Sequence, residues 1–410
     1  MSGDCASTPL FPRGIVVFHE WLIGAGGAER LAVEEYRHIA SRGIPVRLLT
    51  FSASPPALFG LDPACVEVLP RTSVLDGILR LRRRLLEIRP GVVIVAGGLI
   101  ELYLATFRTN VPYVLHQHEA PYKVILQYGN VLAPLLRRRA VREIRGTAFG
   151  YREPPVPPPV SFSQRVRLEV LSILRALAIR KASAVLSLSR RAAREVELLY
   201  GREAVALCGC FHPEIFAHRP SRSLADRLGL ENARILLSVS RLDARKRIHT
   251  ILRAFALLAP RRTDAVLVIG GTGPEEGSLK DLAESLGLAR RVFFLGFVPD
   301  EDLWDVIAAS DAFLCADWTD FDIAPYEALA LGRRVVWTSE IETDEQLLKK
   351  GAVFVGDPTP EGLAGAMERA LGSPEVPRES LDGFLRGLTW ESYFRKVLDL
   401  AARAVRGSAG

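Results

Sequence analysis

Apolar residues in this chain follow two alternating rhythms. One is a short unbroken run of four to six residues rich in Val and Ile, the mark of a strand covered on both faces. The other is a longer stretch in which apolar positions recur every three or four residues, the mark of an amphipathic helix. Gly14–Phe18 is the first such run. A loop with Gly24, Gly26 and Gly27 follows, then a predicted helix from about Ala28 to Ser41, with Leu31, Tyr36 and Ile39 among its inward positions and a stop near Gly43. Val46–Phe51, Gly91–Ala96, Tyr113–Gln117 and Ala184–Leu188 read as further strands, with helices after Gly98 and over 164–181. Glu153–Pro159 holds five prolines and reads as a stiff extended loop.

The same grammar restarts further on. Ile235–Ser240, Ala265–Gly270, Val292–Leu295, Ala312–Cys315 and Arg334–Thr338 are strand-like, with helices over about 248–258 and 275–286. Strands alternating with helices build a parallel, doubly wound sheet, so the expected class is α/β with two such arrays. Pro213, Pro220 and Ser221 put the boundary near 213–230.

Length supports this division, because 410 residues exceed one ordinary domain. Nearly half the residues are hydrophobic and no long polar tract interrupts them, so the chain should be folded nearly throughout, with only 1–9 and 407–410 loose. Residues 1–12 lack the basic start and apolar core of a cleavable signal, which suggests a cytoplasmic protein. The most apolar window, Val92–Phe107, is broken by Gly97, Gly98 and Glu101 and is shorter than the roughly 20 residues a spanning helix needs. Five scattered cysteines do not make a disulfide framework, and Cys208 and Cys210 lack the second ligand pair of a zinc site. Residues 1–215 carry 28 basic and 18 acidic groups, a net +10, whereas the remainder is −4. A basic first half suits an anionic surface or ligand.

Parallel sheets bind ligands beyond the carboxyl ends of their strands, where helix amino termini can cradle phosphate. Gly26 and Gly27 would let a backbone approach a diphosphate, and equally would make a tight turn. Arg241 and Lys246 follow directly on the strand ending near Ser240. Arg forks onto phosphate oxygens and Lys acts as a point charge, so the pair would stabilise a departing nucleoside diphosphate without metal; a solvated basic turn is the other reading.

In that order, four motifs make the second half resemble glycosyltransferase family 4, the retaining transferases of the GT-B fold, whose two Rossmann-like domains face each other across a cleft. They are Arg241 with Lys246; Gly270-Gly-Thr-Gly-Pro274 with Leu279; Leu295-Gly-Phe-Val298; and Thr319-Asp-Phe-Asp-Ile-Ala-Pro-Tyr-Glu327 running on to Gly332. Gly26-Gly-Ala-Glu-Arg30 and His118-Glu-Ala-Pro121 are similar to segments of the family's mannosyltransferase-like members. The resemblance implies an N-terminal acceptor-side domain over 1–215, a nucleotide-sugar domain over 216–385, and a terminal helix over about 386–406 that packs back on the first. It implies a hexosyltransferase that takes mannose from GDP-mannose, with UDP-sugars next, onto a glycan or lipid-linked acceptor. No cofactor beyond the donor and no metal are expected. His118, Arg241, Lys246 and Asp320 would be catalytic, and Gly26, Gly27, Gly273, Phe321, Asp322, Ile323, Ala324 and Glu327 would hold the donor.

One position departs from the family pattern. The signature has two glutamates eight residues apart, and Thr319 stands where the first belongs, with Asp320 as a possible substitute. Asp320 and Asp322 also spell the metal-binding Asp-x-Asp of other transferases, although two aspartates alone do not define a site. Arg138, Arg142 and Arg145 recur opposite Leu136, Val141 and Ile144, and Arg80, Arg83 and Arg84 near Leu75, Ile78 and Leu85. Such helices either rest peripherally on anionic lipid or are core helices with solvated arginines. Nucleic acid is a poor partner, since the cations are not interleaved with stacking aromatics. The rival functions are a sugar-nucleotide epimerase and, because of Thr319, a nucleotide-sugar-binding subunit without turnover. The sequence offers no reading of oligomeric state.

Overall fold

A computed structural model of the chain describes residues 11–407 apart from 25, 119, 129–136, 147–160, 210, 220–228, 231–232, 318–321 and 375. The proline-rich loop, Thr319, Asp320 and Phe321 therefore lie outside the described residues. Two compact units divide the chain: 11–146, 161–208 and 393–407 form the first, and 209–392 the second.

The first unit contains β1 (Ile15–Phe18), β2 (Trp21–Leu22), α1 (Gly27–Ser41), β3 (Val46–Thr50), β4 (Ser52–Ala53), β5 (Val66–Val68), α2 (Val74–Ile88), β6 (Val92–Val95), α3 (Leu99–Ala105), β7 (Tyr113–Gln117), α4 (Pro121–Tyr128), α5 (Arg138–Gly146), α6 (Phe162–Lys181), β8 (Ala184–Ser187), α7 (Arg190–Tyr200) and β9 (Val205–Ala206). Its main sheet runs β5-β3-β1-β6-β7-β8-β9, all pairs parallel. β1, β6 and β7 are buried along their whole length, as unbroken Val and Ile runs in a doubly covered sheet must be. Strand order reverses between β1 and β6, and the crevice of such a sheet opens beyond the carboxyl ends of these two strands.

The second unit repeats the plan with β10 (Arg234–Val239), α8 (Ile248–Leu258), β11 (Ala265–Gly270), α9 (Glu276–Ser285), β12 (Val292–Gly296), α10 (Asp300–Ala308), β13 (Ala312–Cys315), α11 (Ile323–Ala330), β14 (Arg334–Thr338), α12 (Glu345–Lys349), β15 (Val353–Gly356), α13 (Pro360–Gly372) and α14 (Asp382–Leu385). The sheet order is β12-β11-β10-β13-β14-β15, again parallel, and its switch point lies between β10 and β13. Apolar side chains from both faces of this sheet form two clusters, one around Trp337 and Phe313, the other around Phe255 and Leu267. The last helix, α15 (Trp390–Gly407), starts in the second unit, and from Tyr393 onward it belongs to the first, where Tyr393, Phe394, Val397 and Ala401 are buried.

One expectation about a helix face needs correction. Tyr36 is only half-buried, and the inward face of α1 carries Glu35 instead, fully buried 3.3 Å from His116 Nε2. On α2, Gly77, Ile78, Leu81 and Leu85 are buried, whereas Leu75 lies on the exposed face. Strand limits shift by one residue where a glycine or serine lies just outside the strand, as Gly14 does before β1 and Ser240 after β10.

Phe255 tests the second core directly. It is fully buried on α8, and Phe255→Ala should lower the unfolding free energy by about 3–5 kcal/mol, through lost transfer energy plus the cavity left behind. Urea titration followed by tryptophan fluorescence would read the shift.

Candidate functional site

In the second unit, β10 ends at Val239 and its loop turns through a short 3-10 helix, Ala244–Lys246, capped by Asp243. That turn delivers Lys246 to the switch point, where Asp317 follows the end of β13 and Asp322 stands at the amino end of α11. Lys246 Nζ donates to Asp317 Oδ2 at 2.5 Å and to Asp322 Oδ2 at 2.8 Å. Burial alone would lower the lysine's pKa; the carboxylates of Asp322 and Asp317 outweigh it and hold the ammonium well above its ordinary value. The Cys315 thiol beneath them is pushed up, first by burial and then by the same two carboxylates, so it stays protonated and unreactive.

Arg241 behaves differently. It is largely exposed and its Nε donates to Asp243 Oδ2 at 2.7 Å, an accessible pair that an incoming anion can break at small cost. Two glycine positions hold the adjoining loops together. Gly271 has φ +120° and a Cβ there would lie 1.8 Å from Ser240 O; at Gly273 a Cβ would lie 2.3 Å from Leu242 O. The loops after β10 and β11 thus meet backbone to backbone, and Leu242 N donates to Thr272 O at 2.9 Å. Ile323 and Ala324 open α11 and are half-buried, so free amides of a helix amino terminus lie beside Lys246. Glu327, one turn in, is buried, and its Oε1 accepts from Trp304 Nε1 at 3.1 Å.

In the first unit the carboxyl ends of β1, β6 and β7 gather histidines. His118 follows β7, and its Nε2 is 2.7 Å from Ala96 O at the end of β6. A carbonyl only accepts, so Nε2 carries the proton and Nδ1 is left as an acceptor. His19 follows β1; its Nδ1 accepts from Trp21 N at 3.3 Å. A Cβ on Gly97 would lie 2.9 Å from His19 Nε2, which is why glycine is required where β6 ends. His118 is lowered to about 3 by burial and by neighbouring His116, and His19 to about 4 by burial. His116 lies beneath, its ring parallel to that of His118 with centroids 6.1 Å apart, and its Nδ1 accepts from Tyr393 on α15 at 2.7 Å. Gly26 caps α1 with extended backbone, and a Cβ on it would meet only the end of Glu29; around Gly27 there is open space.

Lys246, Asp322, Ile323 and Ala324 therefore converge, with Arg241 and Gly273 on the adjoining loops. Asp320 and Phe321 lie outside the described residues. Among the described residues no cluster of three or more His, Cys, Asp or Glu has the makings of a metal site. Sequence reasoning missed Asp317, which stands outside the matched motifs, and His19, whose signal was its place after the first strand. It also missed Glu20, whose carboxyl is raised by burial and by Glu101 against the pull of Arg71.

Two outcomes follow from this geometry. Asp317 is almost fully buried and Asp322 about a quarter exposed, so Asp317→Ala should cost about 1.5–3 kcal/mol of stability by removing a charge-assisted hydrogen bond and leaving Lys246 to Asp322 alone, and Asp322→Ala clearly less, measured by urea unfolding. His19 keeps a folded-state pKa below its unfolded one, so the unfolded chain alone takes up its proton as pH drops below about 6.5. Stability contributed by neutral His19 is then present at pH 7 and lost toward pH 4, at about 1.4 kcal/mol per pH unit. A His19→Gln variant should show a correspondingly flatter acid limb in its urea midpoints.

Known proteins resemble this chain in sequence and in fold. Residues 222–380 match the family described as glycosyl transferases group 1. The chain is 26% identical to alpha-D-kanosaminyltransferase of Streptomyces kanamyceticus over 85% of its own length and 90% of that protein's. It is 27% identical to alpha-monoglucosyldiacylglycerol synthase of Streptococcus pneumoniae, over 45% of its length and 42% of that protein's. Among solved structures, Anabaena HepE in complex with UDP superposes with a TM-score of 0.65 at 19% identity, over 97% of this chain and 98% of that one. Residues 222–380 thus match the glycosyl transferases group 1 family, and the chain has the GT-B fold of two Rossmann-like parallel sheets.

Proposed function

We propose that this protein is a retaining hexosyltransferase that takes its sugar, mannose by first preference, from a nucleoside-diphosphate donor and passes it to a glycan or lipid-linked acceptor. The observation that carries the reading is Lys246 at the β10/β13 switch point, charged at every working pH, beside the amino terminus of α11 and within the matched family domain. As the glycosidic bond to the donor phosphate breaks, negative charge develops on the departing diphosphate. Lys246 meets that charge as a fixed cation, Arg241 leaves Asp243 to fork onto the phosphate oxygens, and the first amides of α11 add their dipoles. Asp317 holds the lysine at the same place before and after, so little reorganisation accompanies the step. Glu327, already aligned by Trp304, has acceptor capacity for ribose hydroxyls. His118, neutral with its proton on Nε2, offers Nδ1 as an acceptor for a hydroxyl of the donor sugar, the role the family resemblance gives it.

One structural neighbour supports the donor class. HepE of Anabaena has been solved with UDP and with UDP-glucose, which keeps uridine donors beside GDP-mannose. The acceptor reading draws on the synthase of a glycosylated diacylglycerol among the relatives and on the basic first half; we place the enzyme peripherally at a cytoplasmic membrane face. The binding-only alternative rests on Thr319.

Calorimetry with GDP, UDP and ADP selects the nucleotide, and transfer assays with the matching sugar donors select the reaction. Lys246→Ala should lower transfer by about 10²–10³, the usual cost of a lost group aimed at developing charge, without change on adding EDTA to the native enzyme. Tight nucleotide binding with no turnover on any glycan or lipid acceptor would instead establish the binding subunit, and rescue of EDTA-treated enzyme by Mg or Mn would bring in a metal.

A further inference from the structure

Large apolar side chains on the surface of the second unit stand singly, as Leu257, Phe297 and Leu348 do. The first unit differs. Along α6 the exposed residues Phe162, Val166, Val170, Ile173 and Leu177 follow one another at intervals of three and four, so they form one unbroken stripe on a single face. On α2, Leu75, Leu79 and Leu86 make a second exposed stripe. α3 lies between and packs against both helices.

The carboxyl end of α3 ties the three together. Arg82 of α2 donates to Ala105 O at 3.0 Å and to Phe107 O at 2.8 Å, and Lys181 of α6 donates to Thr106 O at 2.7 Å. Half-exposed Phe107 sits at that junction. The two stripes therefore belong to one side of the sheet.

Charge on this side is one-sided. The three helices hold nine Arg and Lys against the four carboxylates of Asp76, Glu87, Glu101 and Glu169. Of these four, Glu169 is buried, Asp76 pairs with Arg80, and Glu87 with Arg83 and Arg84. An apolar stripe bordered by surplus cations is the makeup of a helix lying in a bilayer interface, with its apolar side among acyl chains and its cations at headgroup level. A second copy of the same face would bring positive charge onto positive charge.

We propose that the α2–α3–α6 side of the first unit is a docking surface for an anionic lipid bilayer, seated by the apolar stripe of α6. The inference rests on surface pattern alone and stands whether or not the chain transfers sugar. It moves the membrane contact from the arginines of α2 singled out in the sequence, which are largely engaged with acids, to apolar residues beside them.

The test is flotation of the full chain with vesicles of phosphatidylcholine, alone and mixed with phosphatidylglycerol. Binding should be stronger to the mixed vesicles and should weaken, without vanishing, as salt rises, because salt screens charge and leaves apolar insertion intact. The double variant Val170→Ser with Ile173→Ser should bind at least about tenfold more weakly, while Leu257→Ser in the second unit binds as the native chain does. Phe162→Ser, at the open start of the helix, gives a second reading of the same loss should the double variant unfold. Failure of the native chain to bind mixed vesicles overturns the proposal, as does undiminished binding by the stripe variants. So does a dimer in sedimentation equilibrium that the double variant dissociates, which would give the surface to a second copy.

Discussion

One largely enclosed cation organises the switch point of the second unit. Lys246 reaches the switch point only because the loop after β10 turns back on Asp243, and it is tolerated there only because Asp317 and Asp322 meet it from two other segments. Desolvating an ammonium is costly, and the compensation must come from carboxylates at hydrogen-bond distance. That condition ties together the ends of β10 and β13 and the start of α11. It leaves the lysine charged, held in place, and next to a helix amino terminus, as the proposed binding of a diphosphate requires.

The first unit meets the opposite constraint. Its strand ends carry histidines instead of paired ions, and burial keeps His19 and His118 neutral. A neutral imidazole whose Nε2 proton is engaged by a carbonyl has a defined direction for its remaining lone pair, so the site offers an oriented acceptor and no charge. The support comes from far along the chain: Tyr393 bonds His116, which lies under His118, so the terminal helix is part of what holds that ring.

These two sites differ in how much of them a linear reading reveals. Arg241 and Lys246 were legible because they follow a strand recognisable by its apolar run, and loops at strand ends are where such sheets work; the glycines at 271 and 273 were singled out by the family resemblance. Asp317 was not legible. It sits two residues past β13 with nothing local to distinguish it from a surface aspartate, and its meaning comes from a lysine 71 positions earlier. Glu35 was hidden in the same way, since an acidic residue on an amphipathic helix reads as solvent-facing unless a partner such as His116 waits on the buried side.

Periodicity by itself determined the α/β class, the two successive arrays and most strand and helix positions, because side-chain burial repeats every two residues or every 3.6 whatever the fold around it. The family resemblance was read separately, from residue motifs at the strand ends. Strand order was beyond it: that β1 lies between β3 and β6, and β10 between β11 and β13, depends on which crossovers pack, and the switch points follow from that order. Only the tertiary structure decided which charges are paired, which histidines stay neutral and which leucines of α2 and valines of α6 face outward. Those properties depend on neighbours that are distant in sequence, and on desolvation, which no local pattern of residues contains.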